Sequence, residues 1–159
     1  MPDDKSDLYR QLDTQLCGLL AGETDWIANT ANFAALVYLG LEDLNWAGFY
    51  FLQGDELVLG PFQGKPGCRR IALGRGVCGT AAMHRETVVV ENVHEFPGHI
   101  ACDPESNSEI VVPLVHGDRL LGVLDLDSPT LGRFDDDDRA GLERLVATLL
   151  ATASSPNSI

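Results

Sequence analysis

The 159-residue chain carries 24 acidic and 11 basic side chains, giving a formal net charge of −13, and 45% of its residues are hydrophobic. This length suits one domain, which we expect to span residues 1–159, and the apolar content supports a packed core. So negative a chain, without a run of lysine or arginine, is not expected to bind nucleic acid or an anionic membrane surface. The sequence shows neither a signal peptide nor a long apolar segment, and we therefore expect a cytoplasmic protein.

The hydrophobic pattern predicts helices near both ends of the chain and strands between them. Leucines at helical spacing indicate a helix over 6–20, and Asp25 supplies the N-cap of a second helix that ends at Gly40. The remaining predicted elements are strands at 46–52, 56–59, 70–73, 87–90, 109–115 and 119–126, and helices at 77–84 and 135–149. Because the strands follow one another as hairpins, we expect an α+β fold with a central, largely antiparallel sheet flanked by helices.

Three segments are predicted to lack regular structure. Residues 60–67 are rich in glycine and proline, and the polar segment 91–108 is long enough to suggest a functional loop. The chain ends, 1–5 and 154–159, are expected to be frayed.

Three of the four cysteines lie beside predicted loops. Cys68 follows the glycine- and proline-rich segment, Cys78 follows a glycine-containing turn, and Cys102 lies in the long polar loop. In a reducing compartment such residues are packing residues, metal ligands or reactive thiols. Zinc binding by His99 and Cys102 is an alternative, but the paired cysteines of most structural zinc sites are absent. Cys17 lies beside the apolar stripe of the first helix and is predicted to be a small buried residue.

Three acidic residues are predicted to share one end of the sheet. Asp125 and Asp127 are two apart in a strand, so their side chains point to the same face, and the partner strand begins at Glu109. Capping of the following turn is an alternative role for Asp127. Carboxylates inside an apolar strand are costly, and clustered carboxylates suit an ammonium group or a metal. At least one of them is expected to have a raised pKa and to donate a proton.

Trp46 and Tyr50 lie on one face of the first strand by their even spacing. Core packing explains such aromatic residues in most strands. The alternative function is an aromatic wall against a small apolar group of a ligand.

Together these motifs resemble the free methionine-(R)-sulfoxide reductases, a family of small stand-alone GAF domains. The resemblance covers about residues 8–150, and it includes the three loop cysteines together with the strand acids. It rests on NWAGFY at 45–50, GPFQG at 60–64, GRGVCGT at 74–80, CDPESNSEIVVP at 102–113 and GVLDLDS at 122–128.

The resemblance implies a redox reaction carried by cysteines. Cys102 corresponds to the attacking cysteine and Cys68 to the resolving one, while Cys78 is a third cysteine that assists or substitutes. Attack on free methionine-(R)-sulfoxide would leave a sulfenic acid and then a Cys68–Cys102 disulfide, which thioredoxin is expected to reduce. Neither a metal nor an organic cofactor is required.

The resemblance also implies a substrate pocket. Glu109, Asp125 and Asp127 match the substrate-binding acids, and Trp46 and Tyr50 match the aromatic pocket residues. An acid such as Glu109 or Asp127 would protonate the sulfoxide oxygen, and the remaining carboxylates would hold the α-ammonium group.

Two other functions remain as alternatives. The chain is either a non-catalytic GAF module that senses a small molecule, or a redox sensor that uses Cys68 and Cys102 as a switch. A sensor reacts once, whereas an enzyme turns over and releases a product. A homodimer is compatible with the sequence, although no feature of it requires one.

Overall fold

The computed structural model describes residues 4–153. Its α-helices are α1 (Lys5–Leu20), α2 (Trp26–Gly40), α3 (Gly76–His84) and α4 (Asp136–Leu150), with a short 3-10 helix at Val93–Glu95. Its strands are β1 (Trp46–Gln53), β2 (Glu56–Gly64), β3 (Arg70–Ala72), β4 (Val88–Val90), β5 (Ser108–His116) and β6 (Arg119–Ser128). No helix within the described part of the chain is long and apolar enough to span a membrane.

The strands form one antiparallel sheet in the order β3-β2-β1-β6-β5-β4. Side chains alternate between its two faces, as the two-residue repeat of a strand requires. One face, with Phe49, Ile110 and Leu124, packs on α2 and α4, and α1 packs on these two helices. The other face, with Trp46 and Val111, packs on α3. This arrangement confirms the α+β class with an antiparallel sheet flanked by helices.

The helix starts follow from their capping residues. The carboxylate of Asp25 accepts from the Ala28 N–H at 2.8 Å, as predicted for the start of α2. Asp135 and Asp138 form a reciprocal capping box at the start of α4. Asp138 is buried and also accepts from the Tyr9 hydroxyl at 2.8 Å, which ties α1 to α4.

The expectation of frayed ends is only partly covered by the structure. Residues 1–3 and 154–159 lie outside the described residues. Asp4 caps α1 by accepting from the Asp7 N–H, and Lys5 pairs with Asp135 and Asp138 at the start of α4.

Two local predictions were wrong. Residues 60–64 were predicted to be irregular, but they continue β2, and only the segment after Gly64 leaves the sheet. The pairing shifts between Gly48 and Tyr50, so Gly60 and Pro61 both oppose Phe49 in a β-bulge. A bulge leaves a residue unpaired, which accommodates a proline without a backbone donor.

Cys17 was predicted to be buried, but it is exposed. The buried stripe of α1 consists of Tyr9, Leu12, Leu16 and Leu20. Cys17 follows Leu16 by one residue, which rotates its side chain by about 100° away from that stripe.

Candidate active site

Three acids lie together on the α3-facing side of the sheet. Glu109 in β5 pairs directly with Asp127 in β6, and Val111 pairs with Asp125. The alternation of strand side chains then places the three carboxylates on one face. Glu109 and Asp125 are only 7% and 5% exposed, and Asp127 is half-buried. The cluster predicted from the sequence is therefore present in the fold.

The cluster favours the protonated state of its acids. Burial, followed by the neighbouring Asp125 and Asp127 charges, raises the pKa of Glu109 well above its usual range. Burial and then Asp125 likewise raise the pKa of Asp127 well above the usual range. Burial raises the pKa of Asp125, but hydrogen bonds from its acidic neighbours oppose that rise. Glu109 and Asp127 are therefore the acids that hold protons, while Asp125 ionises more readily.

Cys78 lies in α3 directly above the acids. Its Sγ is 3.9 Å from Oε2 of Glu109, and only 4% of the residue is exposed. Burial, then the charges of Asp125 and Glu109, raise the pKa of this thiol well above its usual value. Burial therefore favours the neutral thiol form of Cys78.

Aromatic rings form one wall beside the acids. The Trp46 ring stacks on Tyr50 at a centroid distance of 5.7 Å and on Phe62 at 5.2 Å. The Trp46 indole N–H donates to the Lys65 carbonyl at 3.0 Å. Gly48 permits this packing, because a Cβ at that position would collide with Phe62.

A disulfide joins Cys68 to Cys102. The two Cα atoms are 5.3 Å apart although 34 residues separate the cysteines in sequence. Both residues are half-buried. A Lys65–Glu105 ion pair at 3.0 Å also links these two segments.

The acids, the aromatic residues and Cys102 line a single cleft. Cys68 is held at that cleft by its bond to Cys102. All eight residues singled out from the sequence are thus brought together. The cleft is lined by Trp46, Tyr50, Pro66, Gly67, Ile71, Arg75, Gly76, Val77, Cys78, His99, Ile100, Cys102, Asp103, Ser106, Glu109, Asp125 and Asp127.

Comparisons with known proteins identify the family. The GAF domain model matches residues 7–153. The free methionine-R-sulfoxide reductase of Escherichia coli is 55% identical over 146 residues, covering 92% of this chain and 88% of that protein. The chain belongs to the free methionine-R-sulfoxide reductases. Its resemblance to this family, and to GAF domains, is therefore confirmed.

Two solved structures have the same fold as this chain. The Neisseria meningitidis free methionine-R-sulfoxide reductase, in complex with its substrate, superposes with a TM-score of 0.91 at 47% identity, covering 96% of this chain and 92% of that one. A Burkholderia vietnamiensis protein described as a GAF sensor superposes with a TM-score of 0.92 at 61% identity, covering 94% and 96%.

The structure adds residues at this cleft that the sequence analysis did not single out. Asn45 donates from Nδ2 to Asp103 Oδ2 and to Ser106 Oγ, each at 3.0 Å, and so anchors the loop that carries Cys102. Phe62 extends the aromatic wall. Asn45 and Phe62 lie inside the motifs of the resemblance, which was the available signal. Arg75 belongs to such a motif too, but nothing in its local pattern indicated a place on the cleft.

The zinc alternative for His99 and Cys102 does not match the structure, because Cys102 is bonded to Cys68. His99 lines the cleft and its ring lies 6.3 Å from that of His94. At the turn after β6, Ser128 Oγ accepts from the Thr130 N–H, so Ser128 rather than Asp127 caps this turn.

Proposed function

We propose that the whole chain acts as one catalytic domain that reduces free methionine-R-sulfoxide to methionine. The observation that carries this proposal is the Cys68–Cys102 disulfide at a cleft that also contains three acids and an aromatic wall. A thiol pair supplies the two electrons, and the acids supply the proton that sulfoxide cleavage requires.

The first step transfers the sulfoxide oxygen to the protein. A proton from Glu109 or Asp127 activates the oxygen, and the Cys102 thiolate attacks. The S–O bond of the substrate breaks, methionine leaves, and Cys102 becomes a sulfenic acid. The raised pKa values of Glu109 and Asp127 support their role as proton donors.

The second step closes the disulfide. The Cys68 thiol attacks the sulfenic sulfur of Cys102, an S–S bond forms, and water leaves. Over both steps the sulfoxide gains two electrons and the two thiols lose them. Thioredoxin then returns the thiols by disulfide exchange, which needs access to at least one sulfur. The half-buried position of both cysteines supports that access.

The buried acids select the free amino acid over a peptide-bound residue. Oδ1 of Asp125 is buried and has no hydrogen-bond donor within the described chain. The α-ammonium group of the substrate supplies such a donor, and a peptide-bound residue lacks that group. Trp46 and Tyr50 form the wall against the apolar side chain. Cys78 stays a protonated thiol beside Glu109 and assists the site without joining the disulfide.

Methionine release is the direct test of this function. The full-length protein is incubated with thioredoxin and its reductase, and with the R epimer, the S epimer or a peptide-bound sulfoxide. Turnover of the free R epimer alone is expected, and Cys102→Ser should abolish it. Cys17→Ser is the matched control, because this exposed thiol lies on α1. No release from any substrate would refute the enzyme and leave the sensor functions.

We also propose a cytoplasmic location, where reduced thioredoxin is present.

We further propose a homodimer in which two copies of the chain pack together through α2. This helix contains no charged residue, although the chain has a net charge of −13. Its Ile27 and Leu39 side chains are 57% and 84% exposed. A second copy covers this surface without opposing like charges. Light scattering of the intact protein should give twice the chain mass, and Leu39→Glu should give the monomer; a wild-type monomer would contradict the dimer.

A further inference from the structure

A thiol and two carboxylates converge at the cleft in a pattern that suits a metal ion. The Sγ of Cys78 and one oxygen each from Glu109 and Asp125 all lie within 4.8 Å of one another. These residues come from α3, β5 and β6, so three elements of the fold fix their positions. All three are at least nine-tenths buried.

A second observation shows that this cluster is short of a positive partner. Oδ1 of Asp125 is buried without a hydrogen-bond partner among residues 4–153. Glu109, Asp127 and Cys78 make hydrogen bonds with the Asp125 carboxyl group, but none of these neighbours carries a positive charge. A cation bound among these groups would satisfy the oxygen and offset the crowded negative charge.

We propose that Cys78, Glu109 and Asp125 form a site for one Zn²⁺ ion in the disulfide form of the protein. Zinc binds thiolate at about 2.3 Å and carboxylate oxygen at about 2.0–2.2 Å, so tetrahedral geometry separates the two donors by roughly 3.5 Å. The Sγ of Cys78 and Oε2 of Glu109 are already 3.9 Å apart. On binding, the Cys78 thiol and the protonated Glu109 carboxyl group release their protons to solvent, and the thiolate and the carboxylates bond to the ion.

The chemistry of the donors selects the ion. A thiolate ligand favours zinc or cadmium, whereas magnesium and calcium prefer oxygen donors alone. Three protein ligands leave the fourth position directed to the cleft. In the disulfide form Cys68 and Cys102 are bonded to each other, so Cys78 is the free thiol that lines the cleft.

This site has a regulatory consequence that rests on the proposed function. Asp125 is also the proposed partner of the substrate's α-ammonium group. Zinc and the amino acid therefore exclude each other, and an ion that is still bound after thioredoxin has reduced the disulfide blocks the next substrate molecule.

Cadmium titration of the oxidised, full-length protein tests the metal site without turnover, because a Cd²⁺–thiolate bond absorbs in the ultraviolet. One equivalent of Cd²⁺ should produce this band, and Zn²⁺ should displace it. Cys78→Ser should abolish the band, Cys17→Ser should retain it, and Asp125→Asn should weaken Cd²⁺ affinity by at least about tenfold. Circular dichroism verifies that each variant is folded. Absence of the band in the wild type, or its persistence in Cys78→Ser, would overturn the site.

Addition of free methionine to the cadmium-loaded protein separates this inference from the proposed function. Loss of the band with rising methionine concentration is expected if both occupy one pocket. A band that depends on Cys78 but ignores methionine would leave the metal site intact and contradict the proposed position of the amino acid.

Discussion

The acid cluster is predicted to cost the protein stability, and Asp125→Asn should relieve that cost. Asp125 is 5% exposed, and its Oδ1 has no hydrogen-bond partner within the described residues. A buried polar group without a partner costs about 1–3 kcal/mol. An asparagine amide removes the charge and donates hydrogen bonds to Glu109 or Asp127. The free energy of unfolding should therefore rise by about 1–3 kcal/mol at neutral pH.

The stability gained by Asp125→Asn should increase as pH rises. The pKa values of Glu109, Asp125 and Asp127 are raised in the folded protein, so the folded state binds more protons than the unfolded state. Their contribution to stability is therefore lost as pH rises from the usual carboxyl range through the raised values. Asp125→Asn should gain little near about pH 4 and most near about pH 8, since ordinary carboxyl pKa values lie near 4.

Thermal unfolding followed by circular dichroism measures this effect. For a chain of this size, 1 kcal/mol corresponds to roughly 2–4 °C in Tm, so an increase of about 2–12 °C is expected at pH 8. Asp55→Asn is the matched control, because Asp55 lies exposed in the β1–β2 turn and its change should stay within about 0.5 kcal/mol. A lower Tm for Asp125→Asn, or a gain equal at both pH values, would refute the argument.

Three further predictions concern the cysteines, the aromatic wall and the contact between α1 and α4. Cys68→Ser should lose thioredoxin-dependent turnover and leave a Cys102 sulfenic acid that dimedone labels in mass spectrometry; unchanged turnover would contradict a resolving role. Trp46→Phe loses one hydrogen bond to the Lys65 carbonyl, so KM should rise about two- to tenfold with kcat nearly constant, as steady-state kinetics would measure. Tyr9→Phe removes the donor to buried Asp138 and should cost about 1–3 kcal/mol in urea unfolding; an unchanged midpoint would show that this bond adds nothing.

The strand pattern of the sequence is sufficient to predict the acidic part of the site. Asp125 and Asp127 are two residues apart and their partner strand begins at Glu109, which places three carboxylates on one face. The cysteines are different, because residues far apart in sequence meet only through the fold. Their pairing was implied by the resemblance, and the structure joins Cys68 to Cys102.

The errors arose where tertiary packing outweighed local composition. Gly60 and Pro61 favour irregular structure by their residue types, but a β-bulge opposite Phe49 accommodates them within β2. Helical periodicity alone did not decide on which side of the buried stripe Cys17 lies. The hydrogen bonds from Asn45 to Asp103 and Ser106 were also not predicted, because these partners lie in a loop more than fifty residues later in the chain.

A single-turnover experiment shows whether Cys68 and Cys102 alone supply the electrons that reduce the sulfoxide. Reduced full-length protein is mixed with excess free methionine-R-sulfoxide and no reductant, and both methionine and disulfide-linked peptides are quantified. One methionine per protein and one new Cys68–Cys102 disulfide are expected, with Cys78 still a free thiol. Methionine released without that disulfide, or a disulfide that forms without methionine, would contradict this role of the two cysteines.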